Sequence, residues 1–205
     1  MTAVEADSMR LFVALVPPPE AVSELRAAVD MVRVRHPGLR WTAPDSWHVT
    51  LAFLGTVDAA TRTCLEDRLA RVASRHPPPV LALAGGGRFG DSTLWVGLAG
   101  DRRELSALAN GVRRAAGKCR IPVEDRPWHG HVTLARAGRR GRGHGSGAES
   151  ALAGPSAELA AHRGTAWTAE QMHLVRSVIG EGPPHYHDVA AWTLAGRPAA
   201  RLPKH

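Results

Sequence analysis

The chain has 205 residues, 44% of them apolar and 22% charged, a make-up that fits a folded soluble protein and not a disordered one. Its 26 Lys and Arg against 19 Asp and Glu leave a formal charge of +7, which favours polyanionic partners such as nucleic acid without requiring one. The longest aliphatic runs, such as LFVALV at 11–16, are too short to span a bilayer, and MTAVEADSMR at the start, with Glu5 and Asp7, does not read as a secretion signal.

In chain order, LFVAL at 11–15 has the apolar, aromatic character of a strand. PPPEAVSELRAAVDMVRV then predicts a helix, with prolines at its start and Val22, Leu25, Val29 and Val32 along one stripe. A Pro-containing turn leads into HVTLA at 48–52, a second strand. Residues 58–76 read as a helix with Leu65, Leu69 and Val72 on one side. PPPVLALAGGGRF at 77–89 reads as a breaker, a short strand and a glycine turn, and its GGGR lacks the Lys-Ser/Thr of a phosphate-binding loop. LWVGL at 94–98 is a strand, and Asp101 is a suitable N-cap for RRELSALANGVRRAA, with Leu105, Leu108 and Val112 on its stripe. HVTLA returns at 131–135, followed by the Arg/Gly-rich loop of 138–150. Residues 172–179 and 186–194 read as closing strands, and those beyond Arg197 as a tail. Cys64 and Cys119 form no CxxC, so neither a disulfide framework nor a zinc site is expected, and a reducing cytoplasm is the expected compartment.

The second HVTLA belongs to a longer repeat. His48 and His131 lie 83 residues apart, and the same offset relates Leu11 to Leu94, Leu25 to Leu108, Val29 to Val112, Pro44 to Pro127 and Gly55 to Gly138. Two strand–helix–strand units, about 11–55 and 94–138, therefore predict an α+β protein. It would be one domain over 1–205, with two pseudo-twofold lobes, each an antiparallel sheet with outer helices, and a cleft between them.

Alternation along a strand sends His48 and Thr50 to one face and Val49 and Leu51 to the other; His131 and Thr133 separate from Val132 and Leu134 in the same way. Each unit thus keeps aliphatic residues for a core and presents an imidazole with a hydroxyl. Two histidines facing each other across a phosphorus centre can serve as base and acid in an in-line displacement, while threonine hydroxyls donate to the non-bridging oxygens.

These residues resemble the 2H phosphoesterase superfamily, named for its paired His-x-Thr motifs, and within it the RNA 2′,3′-cyclic phosphodiesterases, historically called 2′-5′ RNA ligases. The resemblance covers nearly the whole chain: RLFVAL (10–15), RWTAPDSWHVTLAFLG (40–55), GGGRF (85–89), LWVGL (94–98), HGHVTLAR (129–136) and the two closing strands. It implies that His48 donates a proton to the leaving 3′ oxygen and that His131 activates water. By the same resemblance Thr50 and Thr133 hold phosphate oxygens, Phe53 packs near the nucleobase and Arg136 lies on the substrate side of the cleft. The implied reaction opens a 2′,3′-cyclic phosphate at an RNA 3′ end, or on a cyclic nucleotide, to a 2′-phosphate. No metal or cofactor is implied, nor any membrane, and a monomer is expected. Reversible 2′-5′ ligation, hydrolysis of another small cyclic phosphate and non-catalytic RNA-end binding are the alternatives. Gly130 departs from the family, which often has proline before the second histidine.

Smaller signals stay open. Arg139, Arg140 and Arg142 could grip an RNA backbone or simply be solvated. His185 and His187, at i and i+2, have no carboxylate or cysteine cluster to make a metal site. His129 could tune the second motif or be exposed, and Trp41, Trp47 and Trp95 read as core or lobe-interface residues.

Overall fold

The 83-residue offset survives in the backbone. The computed structural model describes residues 8–138, 150–180, 182 and 184–197. Strand β1 (Met9–Leu15) leads to helix α1 (Pro19–Arg35), and strand β5 (Thr93–Gly100) leads to helix α3 (Arg102–Lys118), so the two helices are 83 residues apart at both ends. Between the repeats lie β2 (Leu39–Trp41), β3 (Val49–Val57), α2 (Ala59–Arg75) and β4 (Val80–Phe89). After α3 come β6 (His131–Ala137), α4 (Ala153–Leu159), β7 (Trp167–Thr168), β8 (Gln171–Val178) and β9 (His185–Thr193).

The strands form one antiparallel sheet in the order β7-β4-β5-β6-β3-β1-β8-β9, with β2 added on β6. Its two halves meet at a single pair, Val49 opposite Val132. These residues are each other's repeat equivalents, so a local pseudo-twofold axis runs between them. The C-terminal strands β8 and β9 complete the half that contains β1, and β4 and β7 complete the half that contains β5.

The two lobes exchange their repeat helices. Helix α1 packs on α4 and β4, in the second half, whereas α3 packs on α2 and β3, in the first. Each repeat thus gives its helix to the other half, and the buried Leu25, Leu51, Leu108 and Leu134 belong to one continuous core. Burial of aliphatic area on this scale, at about 25 cal/mol per Å², dominates the stability of such a fold. A separate small cluster, Phe12, Ala14 and Val175 with Tyr186 against it, lies on the other face of the first half-sheet.

Strand pairing is less symmetric than the sequence. Ala14 sits opposite Thr50, but its equivalent Gly97 sits opposite His131, because β1–β3 carries two register shifts and β5–β6 one. The approaches to the motifs differ too: β2 pairs with β6, while the matching segment after α3 forms no strand.

Two expectations are corrected and one, the N-cap, is refined. The glycines at 85–87 make no turn; β4 runs through them, with a bulge at Ala84/Gly86, and the chain reverses at 90–92. They are glycines because of close approach: a Cβ on Gly87 would lie 2.1 Å from the Trp95 ring, and one on Gly86 2.6 Å from Leu159 and Ser156. Asp101 stands at the N-cap position of α3, and its carboxylate accepts the Val80 N–H at 3.1 Å, tying the helix start to β4. The second correction concerns the cysteines. Cys64 on α2 and Cys119 at the end of α3 are joined in a disulfide, with Cα atoms 6.2 Å apart. Sequence spacing carried no sign of it, because the pairing depends on two helices becoming neighbours.

The basic residues Arg139, Arg140 and Arg142 and the tail beyond Arg197 fall outside the described residues. Among the described residues, no helix is long and apolar enough to cross a membrane. Closing a loop of 55 residues is worth about 2–4 kcal/mol through the unfolded chain. Cys64→Ser should therefore unfold at lower urea than the oxidised wild type, and added reductant should bring the wild type down to the variant. Matching midpoints without reductant would show that the thiols are not bonded.

Candidate active site

A 3₁₀ turn at Pro44–Ser46 delivers the chain to His48, one residue ahead of β3, and His131 opens β6. Both histidines are held alike. The Nδ1–H of His48 donates to the Ser46 carbonyl at 2.8 Å, and the Nδ1–H of His131 donates to the His129 carbonyl at 2.8 Å. A carbonyl can only accept, so Nδ1 keeps its proton and Nε2 is left for chemistry. The threonines follow strand alternation: Thr50 and Thr133 are half-buried, between fully buried Val49 and Leu51 and between Val132 and Leu134.

The surroundings of the two imidazoles differ. His48 stacks on Phe12, with centroids 4.7 Å apart and planes 29° apart, and meets the edge of Tyr186 at 5.2 Å. His131 meets Phe89 edge-on at 4.8 Å. Burial among these rings pushes both histidines below the ordinary imidazole value, because it disfavours the cation. The carbonyl bonds oppose that shift. Charge repulsion from His131 deepens it for His48, and that from His129, Arg126 and Arg136 deepens it for His131.

A cleft of about 290 Å³ opens beside His131, walled by Thr50, Phe53, Phe89, Trp128 and His129. Phe53 is 56% exposed and lies 6.1 Å from Phe12. Arg136 is exposed, with Nη1 3.5 Å from the Thr93 hydroxyl, and its charge acts on both His131 and Tyr186. Of the six residues singled out from the sequence, Thr50, Phe53 and His131 line this cleft, while His48 stands just ahead of β3 and Thr133 and Arg136 lie on β6 without lining it. Of the tryptophans, Trp47 is buried and Trp41 donates to the His36 carbonyl, but Trp95 lies tilted against Phe89 and His129, with centroids 5.4 and 4.7 Å away.

Several neighbours escaped the sequence reading. Tyr186 is the only tyrosine in the chain, and from the sequence it drew notice only for its flanking histidines. Those histidines pair within the β8–β9 ladder, opposite Val178 and Arg176, while Tyr186 reaches Phe12 and His48. Strand alternation across His185, Tyr186 and His187 was the available signal. Trp128 had none: its indole N–H donates to the Thr50 carbonyl at 3.0 Å, 78 residues away in the chain. The segment that carries Trp128 has no regular structure and is pinned by Arg113, which donates to the carbonyls of Glu124 and Arg126. Among the described residues, no three His, Cys, Asp or Glu side chains gather in a way that could hold a metal ion.

Comparison with known proteins agrees with this geometry. A family model described as LigT like Phosphoesterase matches residues 16–95. An RNA 2′,3′-cyclic phosphodiesterase of Geobacillus stearothermophilus is 31% identical over 166 residues, 78% of this chain; the chain spans about half (49%) of that relative's length. One from Escherichia coli K12 is 33% identical over 135 residues, covering 64% of this chain and 73% of the relative. The crystal structure of E. coli LigT complexed with 3′-AMP superposes with a TM-score of 0.71 at 26% identity, over 92% of this chain and 99% of that one. A crystal structure from Thermus thermophilus gives 0.72 at 25% identity over the same shares. With a relative above 30% identity matched over nearly three quarters of its length, and with its fold and paired motifs, this chain belongs to the LigT-like phosphoesterase family.

Proposed function

We propose that the chain hydrolyses 2′,3′-cyclic phosphates at RNA 3′ ends, leaving a 2′-phosphate. The observation that carries this reading is the matched pair of Nδ1–H···O=C bonds, which leave Nε2 of His48 and of His131 as two proton-transfer atoms at one junction. Water attacks phosphorus as the bond to O3′ breaks. His131, neutral, takes the water's proton on Nε2; His48, protonated, gives one to the departing O3′, and the solvent then resets both rings. The Thr50 and Thr133 hydroxyls donate to the non-bridging oxygens as charge builds there. Phe53 offers its exposed face to a base, and Arg136 offers a cation to the phosphate side. Because two histidines fill both proton-transfer roles, the reading calls for no metal.

The substrate class rests on the relatives, which are named RNA 2′,3′-cyclic phosphodiesterases, and on the chain's positive charge. A monomer is the natural unit, since one chain supplies both motifs. The cytoplasmic reading rests on the cysteine spacing, and the Cys64–Cys119 bond weighs against it, because a reducing compartment keeps thiols free.

General acid and base groups are each worth about 10²–10⁴-fold. His48→Ala and His131→Ala should each lose that much kcat on 2′,3′-cyclic AMP while melting near the wild-type temperature. A His131→Ala protein as fast as wild type would overturn the mechanism, and a 3′-phosphate product would overturn the assignment of the leaving oxygen.

The lowered histidine pKa values set the pH dependence. Depression keeps His131 neutral to lower pH, which suits a base, and leaves less of His48 protonated near neutrality, which handicaps an acid. The alkaline limb of kcat/KM should therefore fall below the ordinary histidine value of about 6.5. A bound anionic phosphate favours the His48 cation, so the alkaline limb of kcat should lie higher than that of kcat/KM. Coincident limbs above neutrality would show that these groups do not control the rate.

A further inference from the structure

A second cavity, also about 290 Å³, lies behind the cleft and shares Trp128 and His129 with it as a common wall. Its other lining includes Arg102 and Ser106 from the first turns of α3, together with Gly85, Gly86, Gly97 and Gly130. No carboxylate lines it among the described residues. Arg102 and His129 are close enough for the guanidinium charge to depress the imidazole's pKa, second to burial. Both face a space where backbone replaces side chains, at the N-terminus of a 17-residue helix. The Ser106 hydroxyl is turned to the Arg102 carbonyl at 2.8 Å, so the set offers a planar cation and an imidazole, which suits a phosphodiester oxygen pair.

The repeat shows that this cavity belongs to one half only. Counting back 83 residues from Arg102, Ser106, His129 and Gly130 gives Pro19, Ser23, Ser46 and Trp47. The first copy therefore has no cation at this place, and Trp47, 3% exposed, stands where the second copy has glycine. Gly130 cannot regain a side chain cheaply, since a Cβ there would lie 2.8 Å from the Trp128 ring and 3.1 Å from Leu98. The departure from proline at this position thus gives Trp128 its berth and leaves the space beyond it open.

The ring of His129 is 6.1 Å from that of His131, and it lines both spaces. A strand with its cyclic end at His131 has its next phosphate one nucleotide away, and the cavity lined by Arg102 and His129 adjoins the cleft there. We propose that this second cavity is a subsite for the phosphodiester immediately 5′ of the cyclic end, with Arg102 as its cation, so that the preferred substrate is an oligonucleotide rather than a cyclic mononucleotide. The inference deepens the functional reading above and rests on it.

Arg102 is exposed and makes no part of the His-x-Thr machinery, so its replacement should leave the fold and the chemistry alone. The test compares wild type, Arg102→Gln and Arg102→Lys on 2′,3′-cyclic AMP and on the dinucleotide ApA ending in a 2′,3′-cyclic phosphate. Arg102→Gln should lower kcat/KM for the dinucleotide by about tenfold, mostly through KM, and leave cyclic AMP within about twofold, as loss of one charge-assisted phosphate contact implies. The dinucleotide KM should become less sensitive to salt, and Arg102→Lys should restore part of the loss. Equal losses on both substrates, or no loss on either, would overturn the subsite while leaving the enzyme reading intact. A wild type that turns over neither substrate would overturn the enzyme reading, and the subsite with it.

Discussion

The single backbone pair between Val49 and Val132 is the constraint from which the site follows. Each residue is the other's repeat equivalent, so pairing them brings the two His-x-Thr segments together around a local twofold axis. Strand alternation does the rest. Burying Val49, Leu51, Val132 and Leu134 turns His48, Thr50, His131 and Thr133 away from the core. A slip of one residue would send the imidazoles into the core and the aliphatic residues to the cleft, which is why the register is strongly specified. That the pairing stops after one residue matters equally, since strands that continued side by side would leave no cleft between them.

Supports for this narrow junction come from elsewhere in the chain. Strand β2 lies along β6, so the segment leading to the first histidine is laced to the strand that carries the second. Thr42 donates to the Leu134 carbonyl at 2.8 Å, and Trp128 donates to the carbonyl of Thr50 from the opposite direction. Exchange of α1 and α3 between the halves makes the core continuous beneath the cleft. The halves are therefore held by backbone lacing and a shared core, not hinged on one bond.

Symmetry is broken where function asks for difference. Phe53 and Arg136 occupy equivalent positions, one aromatic and one cationic, and Phe12 is matched by Trp95. His48 stands on a stacked aromatic ring, whereas His131 has edge contacts and more cations near it. Burial lowers both pKa values, because it disfavours the cation. The electrostatic neighbours of the two rings differ, and the proposed acid and base roles draw on that asymmetry.

Much of this was legible in the linear chain. The repeat, the helices of both units, the alternation in HVTLA and the paired histidines are all local or periodic signals, and strand and helix periods are set by backbone geometry alone. What the chain could not disclose were contacts between distant segments. The glycines at 85–87 looked like a turn because composition cannot show that Trp95 and α4 would press against a straight strand. The disulfide, Tyr186 over His48 and Trp128 against Thr50 depend on elements more than 50 residues apart in sequence becoming neighbours. The sequence by itself thus determined which groups turn away from the core, because alternation is a property of a strand. The tertiary structure decided what surrounds each of them, because burial, stacking and charge act through space and not along the chain.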